Sequence, residues 1–91
     1  MKMEKDFSPH KCKVCGMGDI ERMHEVCVFC GWEDDGVQND DPDYTGGANK
    51  LSLNQYKKFW KENKEEILSN LQSDKFYAIK KAKNYKVDIT D

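Results

Sequence analysis

Residues 12–31 read CKVCGMGDIERMHEVCVFCG and hold all four cysteines of the chain. They form two Cys-x-x-Cys-Gly units, Cys12–Gly16 and Cys27–Gly31, with eleven residues between Cys15 and Cys27. Two residues between thiolates let one tight turn aim both sulfurs at a single ion. A glycine just after each pair lets the backbone curl under that ion without a Cβ clash. Four thiolates in two such hooks suit tetrahedral Zn²⁺, with each sulfur about 2.3 Å from the metal. The candidate ligands are Cys12, Cys15, Cys27 and Cys30. The spacer is shorter than common ribbon spacings but long enough for a hairpin. Around it, Ile20, Arg22, His24 and Val26 alternate with their neighbours, a weak period-2 strand pattern that Met23 interrupts.

The whole chain explains why such a staple is needed. With 91 residues it is read as a single domain, 1–91, whose metal-binding head and acidic loop occupy 10–50 and whose helical part occupies 51–91. Only 37% of residues are hydrophobic against 35% charged, and the mean hydropathy is −0.94. A small, polar chain of this kind needs a disulfide or a metal to hold its core. No apolar run resembles a secretory segment or a membrane span, which points to a cytoplasmic protein with reduced thiols and hence to metal rather than disulfides. A thioredoxin-type redox centre would use one Cys-x-x-Cys near a βαβ pattern, which is not seen here. A single iron held in rubredoxin style uses the same four thiolates, and spacing does not separate it from zinc. A metal with four cysteines has no open position for catalysis. His10 and His24 are then expected beside the site or at the surface.

Beyond the second hook the chain turns acidic. Glu33, Asp34, Asp35, Asp40, Asp41 and Asp43 fall within a run that contains no Lys or Arg. Residues 1–49 carry 5 basic and 11 acidic residues, a net of −6, and residues 50–91 carry 10 and 6, a net of +4. Such a split points to faces that meet different partners or each other. Asp41-x-Asp43-x-Thr45-Gly46 opens like a calcium loop, but Ser52 stands where the closing Glu should be and no helix precedes it. Two roles remain for the carboxylates. They can cap turns and pair with Lys50, Lys57 and Lys58, or they can form a negative surface for a basic partner, with Asp34, Asp35, Asp40, Asp41 and Asp43 as the candidate contacts. Asp34 or Asp35 is expected to be structural and Asp40 or Asp41 exposed.

From Leu51 onward the pattern is helical. Ser52 with Gln55 makes a capping box, and Leu53, Tyr56, Trp60, Ile67 and Leu71, widened by Phe59 and Leu68, form an apolar stripe over about 53–72. Ser73-Asp74 offers a second cap before KFYAIKKAKNY, a second helix expected to turn Phe76, Ile79 and Tyr85 inward. Trp32 is placed to cover the metal hook and to bury against the Leu53–Trp60 face. The fold class is small α+β: a zinc-ribbon-like Cys₄ head with a short β-hairpin, an acidic loop, and two C-terminal helices.

The run CVFCGWEDDGVQNDDPDYTGGANKLSLNQ, residues 27–55, resembles the small bacterial Cys-rich CPCC domain family. That family joins a cysteine-rich head to a Trp-Glu-Asp-Asp-Gly stretch, an Asp-rich loop, Gly-Gly-Ala-Asn and a Ser-Leu-Asn helix start. The resemblance covers about residues 10–60 and implies a zinc-ribbon-like head with Cys12, Cys15, Cys27 and Cys30 as the matching ligands. Where the family reads Cys-Pro-Cys-Cys, this chain reads Cys-Lys-Val-Cys, so Val14 replaces a cysteine and four candidate thiolates remain. The resemblance brings no established activity.

No phosphate loop or acid–base constellation emerges, so the expected class is a binding protein rather than an enzyme. The first reading is a zinc-stapled module whose acidic loop engages a basic protein. One alternative is a rubredoxin-like iron electron carrier on the same four thiolates. The other is nucleic-acid binding through KFYAIKKAKNYK, residues 75–86, in which lysines would meet phosphates and aromatics would stack on bases. An overall pI of about 5.7 and the lack of arginine there weigh against nucleic-acid binding.

Overall fold

The computed structural model describes residues 8–86; most of the lead-in at residues 1–9 and the last five residues of the helical part lie outside the described residues. Two short strands, β1 (His10–Lys11) and β2 (Asp19–Ile20), pair antiparallel with His10 opposite Ile20. They bracket the first hook. Around the second hook an isolated bridge joins Val26 to Glu33. The hairpin expected from the spacer is therefore present, but its strands flank Cys12–Gly16 and do not run through residues 20–26. The reason is local: the spacer must carry the chain from one hook to the other. It does so by a turn, with the Glu25 N–H donating to the Arg22 carbonyl and His24 in the left-handed region at φ 62.

The acidic stretch is more ordered than its composition indicates. It contains α1 (Gly36–Asp40), capped by Asp35, whose side chain accepts from the Val37 N–H at 2.9 Å. Gln38 is fully buried beneath it. Its amide reaches the carbonyls of Tyr44, Asn49 and Leu51 at 3.1 Å, and its oxygen accepts from the backbone and side chain of Asn49. Asn49 in turn holds Glu33 through both its backbone N–H and its carbonyl. One buried amide thus ties residues 33–51 into a fixed shape, because polar groups removed from water must be paired. Gly47 allows this closeness: a Cβ there would stand 2.6 Å from Asp35 Oδ2 and 2.9 Å from the Gln38 amide carbon. Gly46, at φ 81, provides the left-handed turn beside it.

The long helix α2 (Leu53–Asn70) starts at the expected capping box, in which Ser52 accepts from the Gln55 N–H and Gln55 accepts from the Ser52 N–H. It buries Leu53, Tyr56, Phe59, Trp60 and Ile67. Leu68 does not join the stripe; it lies 37% exposed on the outer side. After a turn, α3 (Tyr77–Lys83) packs back on α2. Asp74 accepts from the Phe76 N–H as a cap would. Phe76 itself stays 52% exposed, contrary to the inward placement expected of it, since it precedes the helix and Ala78 and Ala82 take the buried face. An edge-to-face series of rings, Trp32–Tyr56–Phe59–Tyr85, with centroids 5.1–5.2 Å apart, runs from the head through α2 to the residue just past the α3 C-cap. Each such pair contributes about 0.5–1.5 kcal/mol beyond the area it buries. No helix of the described residues is long and apolar enough to cross a membrane.

Asp35 carries a testable share of this loop. Its second oxygen accepts from the Ala48 N–H at 2.9 Å, and that bond, with a smaller share from Val37 and Gln38, holds its carboxyl below the ordinary 3.8. In Asp35→Asn one oxygen becomes an NH₂ group, which leaves a buried donor without an acceptor, at a cost of about 1–3 kcal/mol. A depressed carboxyl contributes stability above its ordinary pKa and loses it as pH falls through the folded-state value. Denaturant midpoints should show the full deficit of the variant at neutral pH and a narrowing gap below pH 3.8.

Candidate metal centre

Each hook is built the same way. The Gly16 N–H donates to the Cys12 carbonyl and the Gly31 N–H to the Cys27 carbonyl, both at 3.0 Å. The glycines sit at φ 72 and φ 86, a region L-residues with side chains enter at a cost. Inside the turns, N–H groups two residues on point at sulfur: Val14 at Cys12, Met17 at Cys15 and Phe29 at Cys27, each at 3.4 Å. Backbone pairing anchors the entry to each hook, through Cys12 N–H to Gly18 O and Cys27 N–H to Trp32 O.

The two hooks face each other. Sγ of Cys12 lies 3.5 Å from Sγ of Cys30, Sγ of Cys15 lies 3.6 Å from Sγ of Cys27, and all four sulfurs fall within 4.8 Å of one another. Sulfurs about 2.3 Å from a tetrahedral centre are separated by about 3.8 Å, so the cluster has the dimensions to hold one ion. None of the four cysteines is in a disulfide. Among the described residues no other group of three or more metal-ligating side chains converges, and the carboxylates of Asp41 and Asp43 stay apart from it. His10 and His24 are also outside it: His10 Nε2 is 2.9 Å from Asp34 Oδ1, and His24 Nδ1 is 3.4 Å from Glu33 Oε2.

The electrostatics of the cluster are those of a site that could hold a cation. Without one, hydrogen bonding among the thiols divides the protons unevenly. Cys15, accepting first from Cys12, is held well below the usual thiol range, and Cys27 is lowered to about 7. Cys12 and Cys30 are pushed up, chiefly by their sulfur neighbours and further by burial. Four thiolates this close repel one another unless a positive ion lies between them, and metal binding therefore displaces the remaining protons.

Behind the sulfurs stands Tyr56. Its hydroxyl donates to the Cys30 carbonyl at 2.8 Å, and its ring meets Trp32, which is fully buried. Burial, together with the nearby thiol groups, pushes the phenol above its ordinary pKa, so it remains a donor. Nothing in the sequence marked this tyrosine apart from the others of its stripe.

The acidic residues separate into two sets. Asp34 and Asp35 are buried: Asp34 accepts from Asn39 Nδ2 at 3.0 Å and contacts His10, and Asp35 serves as cap and loop anchor. They are therefore withdrawn from the partner face expected of them. Asp40, Asp41 and Asp43 are exposed; Asp41 accepts from the Asp43 N–H, and Asp43 accepts from Asn54 Nδ2. The expected pairing with helix lysines does not form, and Lys58 instead pairs with Glu62 of its own helix. In the C-terminal stretch, Tyr77 and Lys81 bind Glu66, Tyr85 binds Glu62, and Lys80 binds Asp74. Those groups strap α3 to α2 and its entry turn, and Tyr85 has its ring against Phe59.

A family model described as cysteine-rich CPCC matches residues 10–67, more than half of the chain, and the chain belongs to that family. No curated protein matches it.

The two hook glycines are not equivalent, which sets a test. Around a Cβ at Gly16 nothing lies within 4 Å, so Gly16→Ala should cost only the left-handed backbone penalty, about 1–2 kcal/mol. A Cβ at Gly31 would stand 2.9 Å from Ile79 Cγ1 and 3.0 Å from the Tyr56 hydroxyl. Gly31→Ala should add an overpacking cost of about 1–3 kcal/mol, seen as a lower melting temperature than that of Gly16→Ala. Removing a ligand goes further: Cys27→Ser should abolish stoichiometric metal and the buried Trp32 fluorescence while part of the helical circular dichroism survives.

Proposed function

We propose that the chain is a non-enzymatic, cytoplasmic interaction module whose four cysteines hold a structural Zn²⁺ and whose acidic segment engages a basic protein. The donor set supports the metal half of this reading. Four thiolates close the coordination sphere, which suits a structural ion and leaves no position for substrate. Zinc there would supply folding free energy on the order of 10 kcal/mol, as in small metal-folded peptides.

The observation that carries the binding half is where the exposed acids sit. Asp40 ends α1 and Asp41 follows it, at the carboxyl end, where unpaired carbonyls already make the surroundings negative. Charge in that position does not favour the helix, and beyond the turn bond from the Asp43 N–H to Asp41 it supports a use outside the fold. Val37 and Tyr44 lie exposed on the same segment, which Gln38 fixes from beneath. A preformed negative surface with two apolar contacts suits a basic partner segment and lowers the ordering cost of binding. The lysine-rich C-terminal stretch supports nucleic-acid binding less well, because Tyr77, Tyr85, Lys80 and Lys81 are already engaged within the fold.

Two measurements test the reading. Metal analysis of the purified protein should give one zinc per chain; stoichiometric iron with a red colour would assign the site to the rubredoxin-type alternative. Asp40→Asn, Asp41→Asn and Asp43→Asn combined should leave the melting temperature nearly unchanged. The same variant should lose capture of basic proteins from the host, with the larger loss at low salt where exposed charges are least screened. Unchanged capture, or direct salt-dependent binding of the parent to DNA or RNA, would overturn the acidic-surface reading.

A further inference from the structure

The four sulfurs are unequally protected. Cys12, Cys27 and Cys30 are 3%, 3% and 0% exposed, whereas Cys15 is only half-buried. Cys27 is covered by the chain itself: a Cβ on Gly18 would stand 2.7 Å from its sulfur and 3.5 Å from the Phe29 ring. Cys30 lies behind the second hook, with Tyr56 bound to its carbonyl. Next to Cys15 the situation is reversed. The space over Gly16 is empty to 4 Å, and Met17, whose N–H points at the Cys15 sulfur, is itself largely exposed. Attack on a cysteine cluster follows thiolate character and access, and here access singles out one member.

We propose that Cys15 is a modification site for hydroperoxides, and that its oxidation, resolved by Cys27, opens the metal centre. In the first step the Cys15 sulfur attacks one oxygen of the peroxide. An S–O bond forms and the O–O bond breaks; sulfur is oxidised by two electrons to the sulfenic acid, and hydroxide leaves from hydrogen peroxide or an alkoxide from an organic hydroperoxide. In the second step the Cys27 sulfur, 3.6 Å away, attacks the Cys15 sulfur. The S–S bond forms, the S–O bond breaks, and hydroxide leaves, so two thiolates and one hydroperoxide give one disulfide. The sulfurs must close to about 2.05 Å, which the exposed first hook allows by turning inward. Cys12 and Cys30 are then the remaining thiolates, too few to retain the ion. The head is thereby converted from a metal-stapled to a disulfide-stapled form that links the two hooks.

This rests on the metal reading above, and the two fail separately: metal content of the untreated protein tests that reading, and the position of the first oxidised sulfur tests this one. The zinc-loaded protein is treated with one equivalent of hydrogen peroxide, with a chromophoric chelator reporting released zinc and dimedone trapping sulfenic acid. Trypsin cuts after Lys13 and Arg22, so Cys15 lies in the peptide 14–22 and Cys27 and Cys30 in 23–50. The expected result is an early dimedone adduct confined to the 14–22 peptide. Without dimedone, a Cys15–Cys27 linkage between the two peptides should appear in step with zinc release. Cys15→His keeps a fourth ligand and removes the nucleophile; it should hold zinc and lose the rapid phase of release. A first adduct on Cys12, Cys27 or Cys30, a Cys12–Cys15 disulfide as the main product, or undiminished rapid release from Cys15→His would each overturn the proposal. Should Cys15→His fail to hold zinc, adduct mapping on the parent protein decides alone.

Discussion

The constraint on which this structure depends is the confinement of four sulfur atoms within 4.8 Å. Their chain neighbours do not hold them there by packing alone, since thiolates this close repel one another however well the hooks are packed. A bound cation reverses the sign of the interaction at the centre, from mutual repulsion to common attraction. The rest of the head follows from that centre. Cys12, Cys27 and Cys30 belong to the same buried cluster as Ile20, Trp32, Leu53, Tyr56 and Phe59, so these cysteines form one wall of the hydrophobic core. Head and helix therefore do not form separate cores. The cysteine cluster and the α2 stripe are two sides of one.

A second tier of order is polar. Gln38, Asn49, Asp35 and Ser52 are all buried, and each uses its hydrogen-bonding capacity within residues 33–55. This network does for the acidic segment what apolar packing does elsewhere. A short chain with little hydrophobic material has shaped about twenty residues by satisfying backbone groups with side chains, which gives a specific conformation at modest net free energy.

Much of this was readable from the residues. The convergence of the four cysteines follows from spacing, the start of α2 from Ser52 and Gln55, and the burial of Trp32 against the α2 face from its place after the last cysteine; the expected contrast between a structural Asp35 and an exposed Asp41 is also found. What was missed has a common physical origin. Gln38 looked like part of a polar loop because sequence patterns equate polarity with exposure, and burial of an amide depends on carbonyls contributed from residues 44, 49 and 51. Gly47 matters for the space it leaves, which no local rule reports. Periodicity places Phe76 inward, but α3 is short and small residues, Ala78 and Ala82, form its contact face; Leu68, on α2, falls outside the buried set Leu53, Tyr56, Phe59, Trp60 and Ile67. The strand pattern in 20–26 gave way to the geometric need to turn between hooks.

The closeness of Gly31 to Ile79 has a consequence for which residues that position can accept. The family match ends at residue 67, whereas α3 lies at Tyr77–Lys83, outside it. Backbone conformation alone would let asparagine replace the glycine after the second cysteine pair, since asparagine tolerates the left-handed region. In this chain it cannot, because Ile79 and its backbone nitrogen occupy the volume any side chain would take. The room at Gly31 is closed from two sides, by the Tyr56 hydroxyl of α2 at 3.0 Å and by Ile79 of α3 at 2.9 Å. What this single glycine can be replaced by is thus set in part by a segment nearly fifty residues further along the chain.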